Sequence, residues 1–131
     1  YIGCDMIYEG SKTHFYGKGT ADPLRNDKTL KNLKAKSARL EALALKQGCS
    51  IINFSALHSS NLVFPRLKIS ELYKNKKPQN RKINYQKIDM ALKKELELGY
   101  FIEDGRYWKR MAEFDTVEIE ILDKIWLSTV S

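Results

Sequence analysis

Two stretches of this 131-residue chain carry apolar residues at helical spacing and then stop at a glycine, and these constrain the fold most. Over residues 28–47, Leu30, Leu33, Leu40 and Ala44 fall on one face of a helical wheel, with Lys28, Lys31, Arg39 and Lys46 opposite. Asp27 is placed to cap the start, and Gly48 to take the left-handed position after the end. Over residues 85–98, Tyr85, Ile88, Leu92 and Leu96 form a second stripe between Asn84 and Gly99. Each pattern predicts an amphipathic helix that must bury one face against another element.

The segments between these helices read as short strands. Ile2, Cys4, Met6 and Tyr8 alternate, Glu9 to Lys12 is turn material, and Thr13 to Tyr16 returns, which predicts a hairpin over residues 1–20. Residues 49–57 contain Ile51, Ile52 and Phe54 and suit a buried strand, whereas Pro65 argues against a central strand over residues 63–67. A short helix fits Ile69 to Tyr73. Lys74 to Lys82 has no large apolar residue and reads as a basic linker. Asp104-Gly105 is a favoured type I′ dipeptide, so residues 100–110 predict a hairpin in which Glu103 faces Arg106, Ile102 faces Tyr107 and Phe101 faces Trp108. Residues 116–127 alternate like a strand yet hold Val117, Ile121 and Ile125 at helical spacing behind Asp115; helix is the preferred reading. The expectation is an α+β fold: a small single domain, residues 1–131, of short antiparallel hairpins packed by two or three amphipathic helices.

Hydrophobic residues make up 43% of the chain, enough for a core without disulfides. No apolar run is long enough for a membrane span, and the N-terminus has no signal-peptide pattern, so a soluble, intracellular (cytoplasmic) protein is expected. The start at Tyr1 points to a fragment of a longer protein. Cys4 and Cys49 lack metal-site spacing and read as buried free thiols. His14 and His58 stand alone, and Gly17 and Gly19 lack phosphate-loop spacing.

The formal net charge is +7, which favours a polyanionic partner. The cations expected to touch nucleic acid are Lys28, Lys31, Arg39 and Lys46 on the first helix, and Lys76, Lys77, Arg81 and Lys82 in the linker. Arg106, Lys109 and Arg110 complete the set beside Tyr107 and Trp108. Residues 84–110 resemble a winged-helix element, which implies a helix in the major groove and a hairpin along the phosphate backbone.

Met6-Ile7-Tyr8 lies in the first half of the expected hairpin, Phe15-Tyr16-Gly17 in its return, and Arg25 follows Gly17 by eight residues. With these as its first motif, second motif and arginine, the N-terminal half resembles the GIY-YIG nucleases. The resemblance implies a water activated with help from Tyr8 or Tyr16, phosphorane charge stabilised by Arg25, and one Mg²⁺ held by Glu71. The leading expectation is a nucleic-acid-binding domain, DNA before RNA, with no catalytic site, no cofactor and no membrane partner. The alternatives are a Mg²⁺-dependent endonuclease and a protein–protein adaptor within a larger assembly.

Overall fold

The computed structural model describes residues 28, 31–55, 59–78 and 81–131. The N-terminal hairpin predicted over residues 1–20 lies outside them, as do His14, His58 and Cys4.

Among the described residues four helices follow in order: α1 (Leu33–Lys46), α2 (Ile69–Leu72), α3 (Tyr85–Glu97) and α4 (Thr116–Leu127). Single 3₁₀ turns at Tyr107–Lys109 and Met111–Glu113 lead into α4. The only β pairing among the described residues is two isolated bridges, Asn53 with Arg66 and Ile83 with Val130. The expected α+β architecture of antiparallel hairpins is therefore corrected to a helical one with no sheet among the described residues.

The helix ends follow local sequence chemistry. Asn32, not Asp27, caps α1, its side chain accepting the Ala35 N–H at 3.1 Å. Asn84 does the same for Lys87 at α3, and Asp115 for Val117 and Glu118 at α4. Past α1, Gly48 sits at φ +74°, and the Cys49 N–H reaches the Ala44 carbonyl at 2.9 Å. Past α3, Gly99 sits at φ +60°, and the Tyr100 N–H reaches the Glu95 carbonyl at 2.9 Å. Both are left-handed ends that satisfy otherwise orphaned carbonyls.

The buried faces differ from those the wheels predict. On α1 the buried apolar residues are Ala35, Ala38 and Ala42, while Leu40 is exposed. On α3 they are Ile88 and Ala91, with Tyr85 and Leu96 exposed. Small residues let α4 approach closely, and its Ile119, Leu122 and Trp126 fill the space the alanines leave. Tyr100 and Phe114 complete the cluster.

The predicted hairpin at residues 100–110 does not form. A type I′ turn needs positive φ at both central residues, but of that dipeptide only Gly105, at +68°, has it. The hydrogen-bonded turn instead runs from Ile102 O to Gly105 N, 3.0 Å. The Asp104 carboxylate takes the Arg106 N–H at 2.9 Å, removing a donor that a ladder would need. The chain then curls so that Tyr107 meets Tyr100 at 5.2 Å between ring centroids, while Phe101 is left exposed. The segment resembling a winged helix thus has its helix but a tight turn and one 3₁₀ turn, Tyr107–Lys109, where a hairpin was expected.

Of the strand predicted over residues 49–57, the described residues 49–55 form only the bridge at Asn53. Its backbone N–H donates to Pro65 O at 2.9 Å and its carbonyl accepts from Leu67 at 3.2 Å. Pro65 has no N–H to extend the ladder. The fully buried Asn53 side chain instead bonds the Ser55 N–H and the Ser60 hydroxyl. Residues 116–127 form a helix, as preferred from sequence.

Candidate nucleic-acid interface

Among the described residues, three buried carboxylates, Glu41, Glu95 and Asp123, organise the charges. Glu95 on α3 accepts Arg39 Nε at 2.7 Å and Nη2 at 3.0 Å, and its Oε1 also accepts the Trp126 indole N–H at 2.8 Å. Glu41 on α1 receives Arg81 through two hydrogen bonds of 3.1 and 3.2 Å, and the same guanidinium donates to Val63 O at 2.8 Å. Asp123 on α4 receives Lys36 at 2.8 Å. Removing these carboxylates from water is costly, so each is matched by a cation from a different element. The bond to Glu95 holds the Arg39 guanidinium even more firmly protonated than usual. Burial pushes the Asp123 carboxyl above the ordinary aspartate range, against the pull of Lys36.

This pairing divides the cations expected to contact nucleic acid. Arg39 and Arg81 are committed to Glu95 and Glu41. Lys46 lies 3.4 Å from Asp89 and Arg106 lies 3.8 Å from Asp104. Arg110 chelates Glu113, which raises the guanidinium pKa and lowers that of the carboxyl. Lys28 and Lys31 border a cleft of about 310 Å³ shared with Glu120 and Asp123, a mixed-sign surface. Lys77, Lys82 and Lys109 are exposed and carry no ion pair among the described residues.

The densest positive stretch surrounds α2. Residues 66–87 contain eight Lys or Arg side chains and one acid, Glu71, whereas residues 89–131 contain ten acids against six Lys or Arg. Glu71 is held by the Lys76 ammonium and by the Lys68 backbone N–H at 2.9 Å. Those bonds, Lys76 first, keep its carboxyl below the usual glutamate range. Past α2, Asn75 takes a left-handed φ of +55° and the Lys76 N–H reaches Glu71 O at 3.1 Å, so the turn after the helix is defined. Arg66, Lys68, Lys74, Lys76 and Lys77 are all exposed around it. A cleft of about 430 Å³ is lined by Lys77, Pro78, Ser50, Ile51 and the Arg81–Glu41 pair.

Of the residues assigned to a nuclease site, Tyr8, Tyr16 and Arg25 lie outside the described residues. Both Glu71 oxygens are occupied, one by Lys76 and one by the Lys68 N–H, so a cation there would have to displace Lys76. Among the described residues no three His, Cys, Asp or Glu side chains gather as a metal site. Cys49 is an exposed free thiol, not the buried one expected. No described helix is long and apolar enough to cross a membrane.

Sequence reasoning missed the buried carboxylates altogether. The available signal was that Glu41 and Glu95 each fall among the alanine and isoleucine positions that prove to be buried, Ala38 and Ala42 in one helix and Ile88 and Ala91 in the other. Compared with protein-family models, with curated proteins and with solved structures, the chain matches none.

Proposed function

We propose that this chain is a nucleic-acid-binding domain that meets the phosphate backbone along residues 66–87. The observation that carries the reading is the segregation of charge: eight Lys or Arg against Glu71 alone in that stretch. Glu71 is itself neutralised by Lys76, so the surrounding Lys68, Lys74 and Lys77 present uncompensated charge to solvent. A polyanion approaching there releases its condensed counterions and meets few opposing carboxylates. The same logic withdraws Arg39 and Arg81 from direct contact, because freeing either guanidinium would strand a buried carboxylate.

The test is fluorescence anisotropy on labelled oligonucleotides across a salt series. Affinity falls steeply with salt, and charge reversal at Lys68, Lys74 and Lys77 together flattens the slope by about 3 in log–log units for duplex DNA. Reversal at Lys109, which lies among Asp104, Glu103 and Glu113 in sequence, changes affinity little. Absence of binding at micromolar protein in low salt refutes the reading. An equal effect from the two sets of reversals refutes the placement.

A further inference from the structure

Tyr73 is 84% exposed, the most exposed of the large hydrophobic side chains among the described residues. Leu72 and Ile69 beside it on α2 are 47% and 44% exposed. Among the described residues, no hydrogen bond or ring contact engages the Tyr73 side chain. Burial of such a ring is the ordinary outcome, and here the fold holds it out instead. Its backbone is well defined: its N–H bonds Ile69 O at 3.3 Å, and the next turn is closed by Asn75, Lys76 and Glu71. The neighbours in sequence are Lys68, Lys74, Lys76 and Lys77, all exposed. An exposed aromatic ring on a hydrogen-bonded backbone, with exposed lysines before and after it in sequence, meets the two requirements of an unpaired nucleotide strand, stacking for a base and charge for the flanking phosphates.

We propose that Tyr73 is a stacking platform for single-stranded nucleic acid, seated between lysines that hold the strand's backbone. The inference rests on the nucleic-acid reading above and adds the state of the ligand: unpaired bases rather than duplex. Duplex bases are already stacked on one another and offer Tyr73 nothing but groove edges and phosphate. The charge complementarity would also suit an anionic lipid surface, but α2 is only 4 residues long. That is too short to lay an amphipathic helix along a membrane interface.

The experiment measures anisotropy of a labelled oligothymidine and of a labelled duplex of equal length with wild type, Tyr73→Ala, Tyr73→Phe and Lys74→Glu/Lys77→Glu. Tyr73→Ala is expected to weaken oligothymidine binding about 10-fold or more and duplex binding less than about 2-fold. Tyr73→Phe retains wild-type affinity, since the ring and not the hydroxyl does the stacking. The double lysine variant weakens both ligands. Because the ring is exposed, the thermal melt of Tyr73→Ala should match wild type, so the comparison is between folded proteins. If the wild type binds both ligands and Tyr73→Ala changes neither, or changes both equally, the stacking inference fails while the nucleic-acid reading stands. If the wild type binds no nucleic acid, both fail. If it binds phosphatidylserine vesicles in a Tyr73-dependent way and not oligothymidine, the surface belongs to lipid and the inference is overturned.

Discussion

The Arg39–Glu95 pair predicts an asymmetry between its two partners. The Glu95 side chain is 5% exposed and that of Arg39 is 33%. Replacing Arg39 with Met keeps a side chain of similar length over the Trp126 ring, which the guanidinium now faces at 5.6 Å. It leaves Glu95 charged and buried with the indole N–H as its remaining side-chain donor. Breaking a buried pair this way costs about 3–5 kcal/mol, and partial water access on the Arg39 side places the expectation near the lower end, at about 3 kcal/mol. Glu95→Gln keeps an acceptor for Trp126 and strands a cation that reaches solvent, so its cost is nearer about 1 kcal/mol. For a domain of this size the first value corresponds to a fall in Tm of about 10 °C. The double variant Arg39→Met/Glu95→Gln removes the stranded charge and is expected to be more stable than Arg39→Met alone. Urea unfolding of the three variants, read as midpoints at constant slope, measures all of this. Equal losses for the two single variants, or a double variant less stable than Arg39→Met, would refute the argument from burial.

Three further outcomes follow from local geometry. Because the Asp123 carboxyl titrates above its ordinary value, the folded state binds a proton more tightly than the unfolded chain, and this group's contribution to stability falls as pH rises from about 4 upward. The difference in unfolding free energy between wild type and Asp123→Asn should therefore slope with pH above that point, and a flat difference from pH 4 to 7 would contradict it. Gly99→Ala places a Cβ at φ +60° with no heavy atom within 4 Å of it, so the cost is one of backbone conformation alone, about 1–2 kcal/mol by thermal melting. Trp126→Ala empties the space between α1, α3 and α4 and should cost about 3–5 kcal/mol, measured by urea titration; a loss under about 1 kcal/mol would mean that Trp126 does not hold the core together.

The parts of the fold legible in the sequence are those set by neighbouring residues. Asn84, Asp115, Gly48 and Gly99 bound their helices because capping and left-handed ends are local chemistry. The hairpin at Asp104-Gly105 was misread because the dipeptide also serves other turns, and the choice was made by three rings, Tyr100, Tyr107 and Phe114, gathering on one side of the chain. No local pattern encodes that gathering. The wheel of α1 groups Leu30, Leu33, Leu40 and Ala44, yet its fully buried apolar residues are Ala35, Ala38 and Ala42, with Leu43 packed against the core, since what a helix buries depends on how near its neighbour comes and here Trp126 supplies the bulk. The candidate interface was partly legible: the basic run after Tyr73 was visible as a linker, while the commitment of Arg39 and Arg81 to buried carboxylates required knowing which acids are inside.

Those commitments also explain how α1 finds its place. A stripe of alanines has little shape with which to specify a rotation or a register against α3 and α4. Lys36 and Arg39 lie one turn apart on α1 and pair with Asp123 on α4 and Glu95 on α3. Rotating α1 by one residue, roughly 100°, would carry both cations away from their partners at once and leave two buried carboxylates unpaired. Arg81 fastens the opposite charge on the same helix, Glu41, to the segment that follows α2, and through Val63 O to the loop before it. The ion pairs thus act as positional pins for a helix whose fully buried apolar residues are all alanines, and they tie Arg81 to α1.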